Sequence, residues 1–262
     1  MTTLTEIDLN RSNNSQVKRT LWSFASFFAL ILFWQVLALL VNSRYFPGVP
    51  QVWAALVDEF WAGELTYHIG ITLMRVAFAF VVAMAIGSAI GIFLGRVKTA
   101  DRFFDSWLIF FLNLPALVTI ILCYVWMGLT EVAAVIAVAV NKIPNVAVTL
   151  REGARSLSPD YMEMAKVYKL GRWKTLRHVT LPQLAPFFAT AARTGLSLVW
   201  KIVLVVELIG RSDGVGQKLH TAFQLFDVPT ILAYAIAFIL VVQLIEMLIL
   251  QPLEKRVNRW RR

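Results

Sequence analysis

Charge is scarce in this chain: only 16% of its 262 residues are Asp, Glu, Lys or Arg, against about 25% in soluble domains. Together with a hydrophobic share of 58% and a mean hydropathy of +0.67, this excludes an ordinary water-soluble domain. Cysteine is nearly absent. Cys123, the single one, has no partner for an internal disulfide and lies in an apolar run away from His or Cys at metal spacing, so neither a disulfide framework nor a cysteine metal site is available. Catalytic signatures are missing too: no HExxH, no GxSxG and no P-loop GxxxxGK[ST] occur. The three histidines, His68, His178 and His220, fall at or near the ends of apolar runs. The chain is therefore read as no enzyme, with no metal or cofactor of its own. The net charge of +9 does not point to nucleic acid, because long uncharged stretches separate the basic clusters.

What the chain has in abundance is apolar runs. A helix needs about 20 mostly apolar residues to cross a bilayer, and six candidates occur, at about 21–41, 69–95, 103–129, 132–150, 184–209 and 231–250. Pro115 and Pro144 interrupt the third and fourth. The first run is too long for a cleavable signal and lacks a small-residue cleavage site. The expected fold is an all-α membrane protein of six spans, preceded by a polar N-terminal tail over 1–20.

Lys and Arg accumulate in cytoplasmic loops, and here they sort by side. The clusters at 11–19, 96–102, 151–177 and 255–262 fall on one side, and only Arg44, Arg211 and Lys218 on the other. Both termini are therefore expected in the cytoplasm, and the positive balance is accounted for as topology. On the outer side, 50–65 reads as an amphipathic surface helix, and the glycine-rich connection at 211–228 as a re-entrant or cap-like loop.

The cytoplasmic loop at 151–182 is too long for a mere connector. Ser158-Pro159-Asp160 reads as a helix start, with Ser capping and Pro at the first helical position. A helix through Tyr168, a stop at Gly171 and a second short helix over 172–179 follow. The result is a helical hairpin with more apolar surface than a loop needs, suited to docking a cytoplasmic protein.

This loop resembles the EAA loop of ABC-importer permeases, the binding-protein-dependent transport family. Glu163-Met164-Ala165, thirteen residues and then Val179-Thr180-Leu181-Pro182 reproduce the family's Glu-to-Pro spacing. Met164 replaces the usual Ala, and Lys169 stands at the usual Gly position, with Gly171 two residues later. His68 to Arg75, Asn113-Leu114-Pro115-Ala116, Trp126-Met127-Gly128, Trp200-Lys201 with Glu207, and Gly214-Val215-Gly216 are similar to the branch that handles nitrate, taurine and alkanesulfonates. The resemblance implies a coupling helix seated on a separate ATPase subunit, which alone holds ATP and magnesium. Tyr161, Glu163, Met164, Ala165, Tyr168, Gly171, Leu181 and Pro182 would carry that contact. It further implies an extracytoplasmic solute-binding protein, a homodimer and a bacterial inner-membrane location. An ATPase-independent channel or secondary transporter is the rival reading.

Ionisable groups at membrane depth are costly and face the bundle interior or a wet cavity. Lys142 and Lys201, with Asn113, Asn145 and Glu207, are the candidates for a translocation path suited to an anionic solute; the competing reading pairs each lysine with a carboxylate, such as Glu207 or Glu246, or has it reach toward an interface. Lys201 and Glu207, six residues apart, lie on different helix faces. Gly87, Gly91 and Gly95 form a close-packing stripe on the second span.

Overall fold

The computed structural model describes residues 22, 25–61 and 63–252. The expected tail at 1–20 and the basic cluster at 255–262 lie outside the described residues. All regular structure among the described residues is helical. The helices are α1 (Ala25–Val41), α2 (Val49–Trp61), α3 (Leu65–Arg96), α4 (Lys98–Leu112), α5 (Ala116–Met127), α6 (Glu131–Arg155), α7 (Pro159–Val167), α8 (Arg172–Thr175), α9 (Leu181–Gly210), α10 (Val215–Gln224) and α11 (Val228–Ile245).

Three helical stretches are long and apolar enough to cross a membrane: α3, α6 and Val228–Ile249. The run expected at 103–129 is not one straight helix. Its two parts, α4 and α5, meet at an angle of 93°. Pro115 causes the break, because it has no N–H to continue the ladder and drives the residue before it out of the helical region. Asn113 closes α4 with its own amide, Nδ2 donating to the Ile109 carbonyl at 2.7 Å. Pro144 does not act in this way and lies inside the continuous α6. The 30-residue α9 carries Arg193, Lys201 and Glu207.

Helices α3, α6 and α9 pack together as the centre of the fold. The reason is legible on α3, where Ala79, Ala83, Gly87, Gly91 and Gly95 recur every four residues and lie on one side of the helix. A Cβ on Gly87 would stand 2.7 Å from that of Val146, one on Gly91 2.9 Å from that of Leu150, and one on Gly95 2.6 Å from that of Ala154. The glycine stripe thus packs against α6 within the same chain. Van der Waals contact between closely approaching backbones holds such a pair together where lipid removes the hydrophobic drive. Above it, Val76, Ile120, Val138, Val199 and Val203 close a buried apolar cluster.

The remaining helices cover this centre. Helix α2 packs on α11 through Leu56, which meets the cluster of Tyr234, Ala237 and Phe238, and the Tyr234 hydroxyl donates to Glu59 Oε2 at 2.8 Å. Helix α10 folds back between α9 and α11. The starts of α3 and α6 and the end of α9 meet at one end of the bundle; Arg96, Arg151 and Arg155 mark the other, basic end, where Arg151 pairs with Asp105 at 2.6 Å.

Candidate functional site

At the first of these ends the chain buries a charge cluster. Arg75, nearly three turns into α3, is 3% exposed. Its guanidinium has five N–H groups, and every one is used. Nε donates to Glu131 Oε2 at 2.8 Å and Nη2 to Glu131 Oε1 at 2.6 Å. Nη1 donates to Glu207 Oε1 at 2.7 Å and to the Asp213 carbonyl at 2.9 Å, and Nη2 also reaches the Asp213 carboxylate.

Glu207, fully buried, is satisfied on its other oxygen. Thr72 Oγ1 donates to Oε2 at 2.9 Å, and so does the Gly216 backbone N–H, also at 2.9 Å. A charge at zero exposure is tolerable only when paired and hydrogen-bonded in this way. The connection after α9 is shaped to deliver those donors. Gly214 has φ +104, and a Cβ there would run into the Glu207 carboxylate; a Cβ on Gly216 would meet the Leu204 carbonyl. The Gly214 N–H donates to His68 Nδ1 at 2.9 Å, which leaves His68 Nε2 to donate to Glu64 at 3.1 Å. Glu64, exposed just before α3, also pairs with Lys218 at 3.4 Å. These two partners, His68 first, hold its carboxyl below the ordinary value.

Three motifs far apart in sequence, His68 to Arg75, Glu207 and Gly214-Val215-Gly216, therefore converge on one spot. Glu131 and Asp213, with Arg211 pairing with Glu131 at 2.5 Å, complete it, and sequence reasoning assigned none of the three a part in it. The cluster ties α3, α6, α9 and the connection to α10 together, and its donors and acceptors are committed to one another.

The hairpin occupies the basic end. Pro159 starts α7 as expected, but Ser158 makes no side-chain capping bond; its backbone N–H is taken by Gln183 Oε1 at 3.0 Å. Nor does Gly171 provide the stop. Lys169, at the usual Gly position, is itself left-handed with φ 48, whereas Gly171 has φ −61 and opens α8. The Leu170 N–H bonds the Ala165 carbonyl at 2.9 Å and the Lys169 N–H the Lys166 carbonyl at 3.0 Å, the bond pair of a Schellman motif. Val179 and Thr180 are buried in a wide π-helical turn, Leu176–Thr180, that runs straight into α9. Arg96 at the end of α3 donates to Thr180 Oγ1 at 2.9 Å.

Tyr161, Glu163, Met164 and Tyr168 are exposed on the hairpin, joined by Val167 and by Trp173 at 72%. Ala165 is not among them. At 2% exposure it faces the recess beneath the hairpin with Leu170, Leu176 and Thr180, so its small size serves the hairpin's own packing. Leu181 is exposed and Pro182 half-buried, at the start of α9.

The path candidates are not brought together: no hydrogen bond or ion pair joins any two of Asn113, Lys142, Asn145, Lys201 and Glu207. Glu207 belongs to the charge cluster. Asn113 stands at the α4–α5 bend, and Asn145 Nδ2 donates to the Asn141 carbonyl of its own helix at 3.3 Å. Lys142, 2% exposed, rests its stem against Gly195 and close to Phe80, with no carboxylate beside it among the described residues. Lys201 is exposed on α9.

Residues 83–259 match the family described as binding-protein-dependent transport system inner membrane component. The chain belongs to this family. The permease is 27% identical over 234 residues to the putative aliphatic sulfonates transport permease of Bacillus subtilis strain 168, covering 88% of this chain and 84% of that one. It is 25% identical over 237 residues to the taurine transport system permease of Escherichia coli K12, covering 88% and 86%. It is 24% identical over 214 residues to the nitrate import permease of Leptolyngbya laminosa, covering 79% and 77%. Among solved structures, an inward-facing MetNI methionine ABC transporter chain superposes with a TM-score of 0.59 at 17% identity, over 72% of this chain and 95% of that one. That likeness places the permease in the same fold. It is a multi-pass membrane subunit of an ABC importer, a transport component.

Proposed function

We propose that the permease carries a small anionic solute inward as half of a homodimer, driven by ATPase subunits that dock on the α7–α8 hairpin and supplied by an extracytoplasmic binding protein. The observation that carries this reading is the hairpin itself. A short helix held at the basic end presents Tyr161, Met164, Val167, Tyr168 and Trp173 to solvent, more apolar surface than a free loop retains. The Glu163-to-Pro182 spacing of the family's coupling loop falls on the same segment. ATP and magnesium then belong to the partner, and this chain binds neither.

The anionic solute follows from the relatives, which are named for sulfonates, taurine and nitrate, and from the unpaired Lys142 and Lys201 on α6 and α9. The proposed topology counts six spans, α1, α3, the bent α4–α5 pair, α6, α9 and α11, with both termini and the hairpin in the cytoplasm and the Arg75 cluster at the outer face. A homodimer is expected because a six-span bundle needs a partner to enclose a pathway, and two-fold pairs are the commonest assembly.

The test is purification of the tagged permease from its native membrane. Co-purification of an ATPase, with uptake abolished by vanadate and insensitive to collapse of the proton gradient, is the expected result. Uptake that follows the proton gradient without an ATPase would replace this reading with a secondary transporter.

A further inference from the structure

Between α3, α4 and α6 lies a groove of about 470 Å³ walled by apolar and aromatic side chains, among them Ile90, Leu94, Phe104, Trp107, Ile143 and Pro144. It runs from the middle of α6 toward the basic end, and Phe93 and Trp107 stand exposed along it. Leu94 also borders a second recess, which contains Lys98, Asp101, Arg102 and Arg155. The acid there is already neutralised, Asp101 pairing with Arg151 and Arg155. Lys98 and Arg102 are exposed, and neither makes an ion pair or hydrogen bond with a described residue. The buried Leu94 thus stands between an apolar slot and two uncommitted positive charges.

We propose that this composite groove binds an anionic phospholipid of the bilayer, one acyl chain lying along Trp107 and Pro144 and the headgroup phosphate between Lys98 and Arg102. The proposal rests on the reading of the chain as a permease with its basic end at the cytoplasmic face. Shape and charge favour a lipid over a protein helix. A helix with its side chains is about 10 Å across. An acyl chain is thinner and brings no backbone polar groups that must be satisfied in an apolar wall. Neither would an apolar occupant answer Lys98 and Arg102, whereas a phosphate does. Basic recesses between membrane helices on the cytoplasmic side are suited to anionic headgroups, and two such charges correspond to roughly a tenfold to thirtyfold preference over a zwitterionic headgroup.

The test is native mass spectrometry of the full chain in detergent, titrated with phosphatidylglycerol and phosphatidylcholine of equal chain length. Phosphatidylglycerol is expected to be retained about tenfold more strongly. The double substitution Lys98→Gln with Arg102→Gln should bring it to the phosphatidylcholine level, and Ile90→Trp, which fills the slot and leaves the charges, should reduce retention of both lipids. Equal retention of the two lipids, indifference to both variants, or equal binding of a six-carbon-chain phosphatidylglycerol would overturn the proposal. Retention by the monomer that vanishes in the dimer would assign the groove to a second copy and overturn it as well. ATPase co-purification reads the hairpin at a separate site, so its success or failure is independent of these outcomes.

Discussion

Arg75 and Glu207, separated by 132 positions in the chain, form an ion pair of 2.7 Å in which both side chains are shielded from solvent. The pair joins α3 to α9, and its remaining donors and acceptors fasten α6 through Glu131 and the α9–α10 connection through Asp213 and Gly216. Charge at this depth is stable only as a complete set. Removing one member exposes the cost of the others.

Glu207→Ala should therefore destabilise the permease by about 1–3 kcal/mol: Glu131 and Asp213 still balance the Arg75 charge, but buried donors are left unsatisfied. Thr72 and the Gly216 N–H lose their acceptor in the same step. Arg75→Met should cost more, about 3–5 kcal/mol, since it leaves the buried Glu207 without its charged partner and strips Glu131 and Asp213 as well. Thermal unfolding of the purified protein in detergent measures both. A single variant as stable as the parent would show that the pair is not a structural tie.

Close approach of α3 and α6 makes a second contrast. Gly91→Val should cost about 1–3 kcal/mol as an overpacked contact, because its Cβ would meet Leu150 and the backbone of α6. Gly70, on the same helix, has nothing within 4 Å of a Cβ, so Gly70→Ala should gain up to about 1 kcal/mol in helix propensity. Opposite signs for two glycine substitutions in one helix, read by thermal unfolding, are the expected result.

The left-handed Lys169 predicts a stabilising substitution. A non-glycine residue in that region carries a penalty of roughly 1–2 kcal/mol, so Lys169→Gly should raise the stability of the hairpin by about that amount. Lys169→Ala keeps the Cβ and should give no such gain, which separates backbone conformation from loss of charge. Hydrogen exchange of the Tyr168 to Leu170 amides, compared across the three proteins, reads the effect where it arises.

Much of this architecture was legible in the sequence because bilayer thickness and helix periodicity leave few alternatives. The long runs of α3, α6 and α11 and the start of α7 at Pro159 belong to that part. The α4–α5 turn was harder, since Pro115 and Pro144 look alike as residues. Their outcomes differ because Asn113 closes α4 ahead of Pro115, while Pro144 is carried within a continuous α6. At the hairpin, glycine chemistry favoured Gly171 as the stop. The spacing of the Leu170 and Lys169 hydrogen bonds instead puts the left-handed residue at Lys169. Glu207 was read as a path residue because its partners lie on other helices, and no single-helix pattern reveals an Arg75 contact made across the fold. Glu131, the first residue of α6, went unread for the same reason: its partner Arg75 lies on another helix.

The hairpin carries the final prediction, and its burial pattern makes the prediction specific. Tyr168, exposed and aromatic, is the kind of residue that dominates a docking interface, so Tyr168→Ala should weaken ATPase association by about 2 kcal/mol or more, roughly thirtyfold. Glu163→Arg should abolish uptake while leaving the permease inserted and folded, because Glu163 is exposed and has no partner within the described chain. Ala165→Leu should behave differently. Ala165 is 2% exposed and closely surrounded, so the larger side chain must displace its neighbours and should lower thermal stability by about 1–3 kcal/mol through overpacking. Measuring both stability and ATPase association for all three variants tests the assignment. A stability loss for Glu163→Arg, or full-strength association and uptake for Tyr168→Ala, would remove the hairpin's outer face from the coupling contact.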